Sequence, residues 1–227
     1  MDDVTYITAI ARKDLLQEVR SRAATVATLF FAAVVLVILA FAFSTQLGLL
    51  PVIAPGVLWV ALAFAGLISA AQSYQSELEE GALEQLLMYP VPRASIYLGK
   101  LLANWLYMAL LGILLLPVTA VFFGMLLTNL PWLILTVLLG TLGFALIATF
   151  YAALTANLRA RESLLAVLMF PVVVPILLAA VRATGELTAL GTPNNLAFAR
   201  DWLQLLLGFD LVYFVVCTAI FHFVMEE

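Results

Sequence analysis

Apolar residues fall in long blocks, at about 24–46, 52–74, 102–127, 131–156, 164–181 and 203–225, with polar residues concentrated between them. A block of this length, wound at 1.5 Å per residue, covers the hydrocarbon core of a bilayer, which needs about 20 residues. Backbone groups in lipid must pair within a helix or a closed barrel, and these blocks lack the alternation of a barrel strand. The pattern predicts an all-α polytopic membrane protein with six transmembrane helices. Pro51 and Pro55 precede or open the second span and Pro131 opens the fourth. Pro117, Pro171 and Pro175 lie inside the third and fifth, where each removes a backbone donor and predicts a kink.

Composition agrees. Of 227 residues, 65% are hydrophobic and 11% charged, against about 45–50% and about 25% for a soluble domain. A soluble enzyme, a nucleic-acid reader and a secreted disulfide scaffold are excluded, and 1–227 reads as one transmembrane domain. One cysteine, Cys217, and one histidine, His222, supply neither an intrachain disulfide nor a typical structural zinc site, so no metal is expected.

Charge orients the bundle. Arg12, Lys13, Arg20 and Arg22 precede the first span, Arg93 and Lys100 separate the second from the third, and Arg159 and Arg161 join the fourth to the fifth; Arg182 and Arg200 remain, between the fifth and sixth. Eight against two places both termini and the 75–100 and 157–163 loops in the cytoplasm, and an even number of spans requires the termini to share a side. Residues 182–202 form the one outer loop with room for structure. A signal peptide is the competing reading of the N-terminus, but 22 mostly polar residues precede an apolar run longer than a signal core, so the first helix is expected to stay.

Two stretches on the cytoplasmic side carry pattern. In residues 1–23, Val4, Ile7, Ala11, Leu15 and Val19 recur at helical spacing among basic residues, as in a helix lying in the membrane surface, although Asp14 and Glu18 fall within the apolar arc; a solvated arm is the alternative. In 75–100, Leu78, Ala82, Leu83, Leu86 and Leu87 share one side of a helix while Glu77, Glu80 and Glu84 share the other, Glu79 being the exception, and Pro90 and Pro92 end it. A soluble partner can grip such a helix as a lever, with leucines filling a groove and carboxylates setting register. A helix laid against the protein's own membrane end is the other reading. The acids lack the loop spacing of a calcium site.

Within the membrane an ionisable residue is a functional candidate by default. Asp210 is one, because the 15 apolar residues from Leu211 to Met225 are too few to cross and the sixth helix must reach back past it. It lines a polar path, pairs with Arg182 or Arg200, or sits in water at a helix end. Small residues at four-residue spacing (Ala61, Ala65, Ser69; Ala145, Thr149, Ala153; Ala148, Ala152, Ala156) permit close helix approach, within the chain or between subunits. No nucleotide-binding loop, serine elbow, HExxH or dinucleotide turn is present, so the chain reads as no enzyme and its energy input must come from a partner.

The stretch LEQLLMYPVPRASIYLGKLLAN from Leu83, the N-terminal ARKDLLQEVRSR and the run LRARESLLAVLMFPVVVPILL from Leu158, in that spacing and with six spans, resemble the CcmB family, haem exporter protein B of bacterial cytochrome c maturation. Met88-Tyr89 before Pro90 is a local departure, a small or polar residue being expected there. The resemblance implies an ABC-2-type permease subunit of the bacterial inner membrane. It implies a homodimer working with a CcmA-like ATPase that binds the ATP, a CcmC-like haem-handling protein, a small CcmD-like subunit and a periplasmic CcmE-like haem chaperone, with haem as cargo. The acidic helix then matches the position of a coupling helix, making Glu77, Glu79, Glu80, Leu83, Glu84, Leu86, Leu87, Pro90, Pro92 and Arg93 the candidate ATPase-coupling residues. A permease for a lipid, drug or polysaccharide and a non-moving membrane scaffold are the competing functions.

Overall fold

The structure, a computed structural model, describes residues 3–21, 23–45, 48–79, 92–156, 161–188 and 195–224. Among the described residues the regular elements are all helices: α1 (Asp3–Ser21), α2 (Ala23–Ala42), α3 (Leu50–Glu79), α4 (Arg93–Phe123), α5 (Leu130–Thr155), α6 (Arg161–Thr188) and α7 (Asn195–Val224). The helices α2 to α7 each contain a segment long and apolar enough to span a bilayer. The chain is a multi-pass membrane protein with the six predicted spans.

Proline and glycine set several ends as their chemistry requires. Pro51 and Pro131 occupy the first turns of α3 and α5, where a missing N–H costs no helical bond. Gly124 closes α4 in the left-handed conformation, φ 66°, its N–H donating to the Ala120 carbonyl. Pro55, Pro117, Pro171 and Pro175 lie inside helices that continue through them.

Helix ends depart from the sequence reading in three places. The third span was expected from residue 102, yet α4 begins at Arg93, and its extra turns carry Lys100 inside the fold. At the opposite end of the bundle, α6 runs on to Thr188 and α7 starts at Asn195. Most of the expected outer loop 182–202 is therefore helical extension, because Arg182, Glu186, Arg200 and Asp201 end the apolar run without breaking helical periodicity.

The bundle is built around α5. Two-thirds of its spanning window (67%) is buried within the chain, against 17% for α2. It packs on α3, α4, α6 and α7, whereas α2 packs on α3 and α4 from outside and α1 lies on α4. Close packing follows from small side chains: a Cβ at Gly140 would collide with the Trp59 ring, and one at Gly143 with Asp210 and with Ile176. The small residues Ala61, Ala65, Ser69, Ala145, Ala148, Thr149, Ala152, Ala153 and Ala156 are all buried in a single chain, so they serve intrachain packing. Large apolar side chains such as Phe30, Phe41, Leu110, Val121, Val167 and Val215 point outward, as lipid contact requires.

Polar side chains cross-link the helices where lipid gives no hydrophobic drive for association. Trp59 Nε1 donates to Thr184 Oγ1 at 3.0 Å, Tyr97 Oη to the Leu146 carbonyl at 2.9 Å and Trp105 Nε1 to the Leu138 carbonyl at 3.0 Å. Ser69 Oγ donates to Asn104 Oδ1 at 3.3 Å, and Asn104 Nδ2 to Thr149 Oγ1 at 3.2 Å, tying α3, α4 and α5 together.

Candidate functional site

The acidic segment joins α3 to α4. Glu77 and Glu79 lie on the last turn of α3, which ends at Glu79, so the membrane-spanning rod continues directly into the predicted lever. Glu80, Leu83, Glu84, Leu86, Leu87 and Pro90 lie outside the described residues. Pro92 is exposed and stands immediately before α4; its carbonyl accepts from the N–H groups of Ser95 (2.9 Å) and Ile96 (3.4 Å). With φ −57° and ψ 130° it holds the extended conformation of a residue entering a helix, and Arg93 follows as the first helical residue. Glu79 and Arg93 are thus the ends, on either side of the segment, of two helices that both cross the bundle.

The N-terminal helix is packed against this joint. Ile10 and Ala11 are buried, and Ile10 sits over Gly99, where an added Cβ would come within 2.7 Å of Ile10 Cβ and 3.1 Å of the Ile7 carbonyl oxygen. One turn of bare backbone on α4 is what admits α1. Beside it, the fully buried side chain of Lys100 places Nζ 3.4 Å from Asp14 Oδ2 on α1 and 3.4 Å from the Ser73 carbonyl of α3, and 4.5 Å from the centre of the Tyr74 ring. Asp14 also receives Lys13 at 3.1 Å. The acid that breaks the apolar arc of α1 in the sequence is therefore the residue through which α1 meets the other two helices.

Asp210 lies elsewhere, in the middle of α7. The buried stripe of that helix runs Ala199, Leu203, Leu206, Asp210, Cys217, Phe221, at three- and four-residue steps and one of seven, so the carboxylate takes a core position in an otherwise largely apolar seam. It is 3% exposed, and among the described residues neither oxygen has a hydrogen-bond partner. It fits because Gly143 of α5 leaves room for it, with Ile176 of α6 at the same place. Among the described residues neither Arg182 nor Arg200 pairs with it: both are exposed, and Arg200 stands over the Trp132 ring at 5.9 Å. Of the three sequence readings, neither the pair with an arginine nor the wetted helix end describes this position.

With this geometry in hand, comparison with known proteins is decisive: the family model for the CcmB protein matches residues 5–225. The chain belongs to the CcmB family. It is 36% identical to heme exporter protein B of Pseudomonas aeruginosa over 150 residues, covering 66% of this chain and 67% of that one. It is 34% identical to heme exporter protein B of Haemophilus influenzae over 170 residues (74% and 76%). The protein of the same name from Bradyrhizobium diazoefficiens is 28% identical over 210 residues, 90% of this chain and 94% of that one. The CcmB match thus takes in all six spans, the acidic segment and α1.

Two residues of this CcmB chain escaped the sequence reading. Lys100 was counted as a loop cation because the apolar run resumes only after it, yet its neighbours Ile96, Tyr97 and Leu101 continue a buried helical face. Asn104, an amide two residues inside the expected span, was visible as a polar residue in an apolar run and carried the signal of a buried interhelical bond.

Proposed function

We propose that this chain is the membrane component of a haem export system for cytochrome c maturation, in which a separate ATPase supplies the energy. The observation that carries the reading is the unbroken family match over residues 5–225, made to proteins named for haem export. In this reading the chain is a transporter subunit and does no catalysis itself. Its spans lie in the bacterial inner membrane with both termini in the cytoplasm; Lys100 is withdrawn into the fold, and the remaining basic residues still stand seven against two in favour of that side. A CcmA-like ATPase grips residues 77–93, and closure of its nucleotide sites moves α3 and α4 together. A homodimer, a CcmC-like haem-handling protein, a small CcmD-like subunit and a CcmE-like chaperone complete the assembly, and haem is the cargo.

Support for the lever comes from continuity. A push on a flexible loop dissipates, whereas a push on a segment whose flanks are α3 and α4, each helical across the bundle, is transmitted along both rods. Removing the gene and assaying covalent haem on c-type cytochromes tests the haem reading; loss of attached haem with cytochrome polypeptides still made is expected. Normal c-type cytochromes would favour a permease for another cargo. Purification through this subunit in mild detergent tests the assembly, with the ATPase expected to accompany it.

A further inference from the structure

The outward side of α1 forms, with α4, a shallow groove of about 340 Å³ lined by Thr8, Ala11, Arg12, Leu15, Leu16 and Leu102. Its walls are apolar, and the Thr8 hydroxyl, which sits among them, is turned back onto its own helix, donating to the Val4 and Thr5 carbonyls at 2.9 and 3.1 Å. Arg12 is the one charged residue of the lining. Arg12 is exposed and has no ion-pair partner among the described residues, while the neighbouring Lys13 is paired with Asp14. Ile10, Ala11 and Asp14 hold α1 against α4, and at the groove Leu16 remains 45% exposed.

We infer that this groove is a binding site for an anionic phospholipid of the leaflet that faces α1, its phosphate on Arg12 and one acyl chain running past Leu15 and Leu16 to Leu102. The chemistry is that of an amphiphile. One cation among apolar lining residues matches one phosphate joined to a hydrocarbon chain, and a guanidinium binds phosphate through paired N–H donors. Leu102 lies nine residues beyond Arg93, about 13 Å along α4 at 1.5 Å per residue, which carries the inner end of the groove below the surface where α1 lies. A haem molecule suits the groove less well: its two propionates exceed one guanidinium, and the lining offers no His, Cys, Met or Tyr to ligate iron. The volume stands near the lower end of the range for small-molecule pockets, about 300–1,000 Å³.

The test is native mass spectrometry of the full-length protein in mild detergent, titrated with dioleoyl phosphatidylglycerol and, separately, dioleoyl phosphatidylcholine. The wild-type chain should retain the anionic lipid about tenfold better, equivalent to about 1.4 kcal/mol. Arg12→Gln should bring that ratio close to one, Leu102→Trp should reduce retention of both lipids, and Lys13→Gln should change neither. Glycerol phosphate, which has the headgroup charge without the chains, should not displace bound lipid. Arg12 lies on an exposed helix face, so its substitution leaves the packing of α1 intact. Equal retention of the two lipids by the wild type overturns the assignment. So does a loss in Lys13→Gln as large as in Arg12→Gln, which would mean diffuse surface charge, or displacement of the phosphatidylglycerol by haem.

Discussion

Lys100 and Asp14 form an ion pair at 3.4 Å between α4 and the N-terminal helix, with the lysine side chain wholly buried and the aspartate 11% exposed. The two partners are not equivalent. Asp14 has a second cation in Lys13 at 3.1 Å and is partly exposed, whereas the Lys100 ammonium is held inside the fold, against Asp14, the Ser73 carbonyl and the Tyr74 ring.

That asymmetry predicts an order of stability. Asp14→Asn takes a carboxylate away from a buried ammonium and should cost more than the lysine substitution, up to the about 3–5 kcal/mol of breaking a buried pair from one side. Lys100→Met keeps the stem volume and leaves Asp14 with Lys13, so its cost should be about 1–2 kcal/mol. The double variant should be more stable than Asp14→Asn alone. Thermal unfolding of the purified chain in one detergent gives the order, and a Lys100→Met variant less stable than Asp14→Asn would contradict it.

Gly99 sets the distance between α1 and α4. Because a Cβ there would sit 2.7 Å from Ile10 Cβ, Gly99→Ala should push α1 outward at a cost of about 1–3 kcal/mol, as overpacking does. Ile10→Gly removes that Cβ together with the Cγ2 that would lie 2.9 Å away, so adding it to Gly99→Ala should cost less than it does in the wild-type background. A double-mutant cycle on melting temperature measures this coupling. Strict additivity would show that the helix–helix contact is not where α1 is held.

The architecture was legible because its main determinant, apolar length, is written residue by residue: six runs gave six spans, and Pro51 and Pro131 marked the helix starts. What sequence pattern could not supply was the fate of residues whose chemistry depends on a partner. Lys100 resembles any loop lysine until Asp14, 86 positions earlier, is brought against it, and Asp210 resembles a helix-end residue until Gly143 is seen to make room for it. Glu77 and Glu79 end α3 and Arg93 opens α4, where the sequence reading expected a separate short helix and a loop. Their proposed use depends on a surface that another protein must provide, and no single chain encodes that directly.

Asp210 separates stability from function. A carboxyl group with both oxygens unpartnered inside a helix seam is costly, by about 1–3 kcal/mol for an unsatisfied polar group and by more when charged. Asp210→Leu, which keeps the branched four-atom side-chain skeleton and matches its seam neighbours Leu203 and Leu206, should therefore melt at or above the wild-type temperature. If the carboxyl is retained for haem export, the same variant should lower covalent haem on c-type cytochromes several-fold despite its stability. Wild-type haem attachment would reduce Asp210 to a tolerated packing residue, and a lower melting temperature would show that a partner for the carboxyl exists in the membrane.

Reversing the charge on the acidic segment tests the lever. Glu77 sits on α3 just before the helix ends, and Glu80 and Glu84 follow it at helical spacing in the sequence. Carboxylates at the rim of a protein interface govern encounter and register more than total affinity. Glu77→Lys, Glu80→Lys and Glu84→Lys together should thus leave insertion and melting of this subunit unchanged while weakening capture of the ATPase at least tenfold. The loss should be steeper at low ionic strength than at high, where like charges are screened over about 8–10 Å. Co-purification yield and ATP turnover of the complex, each measured across a salt series, provide the readout. A membrane scaffold that never moves predicts unchanged turnover at every salt concentration, and that outcome would remove residues 77–93 from the coupling path.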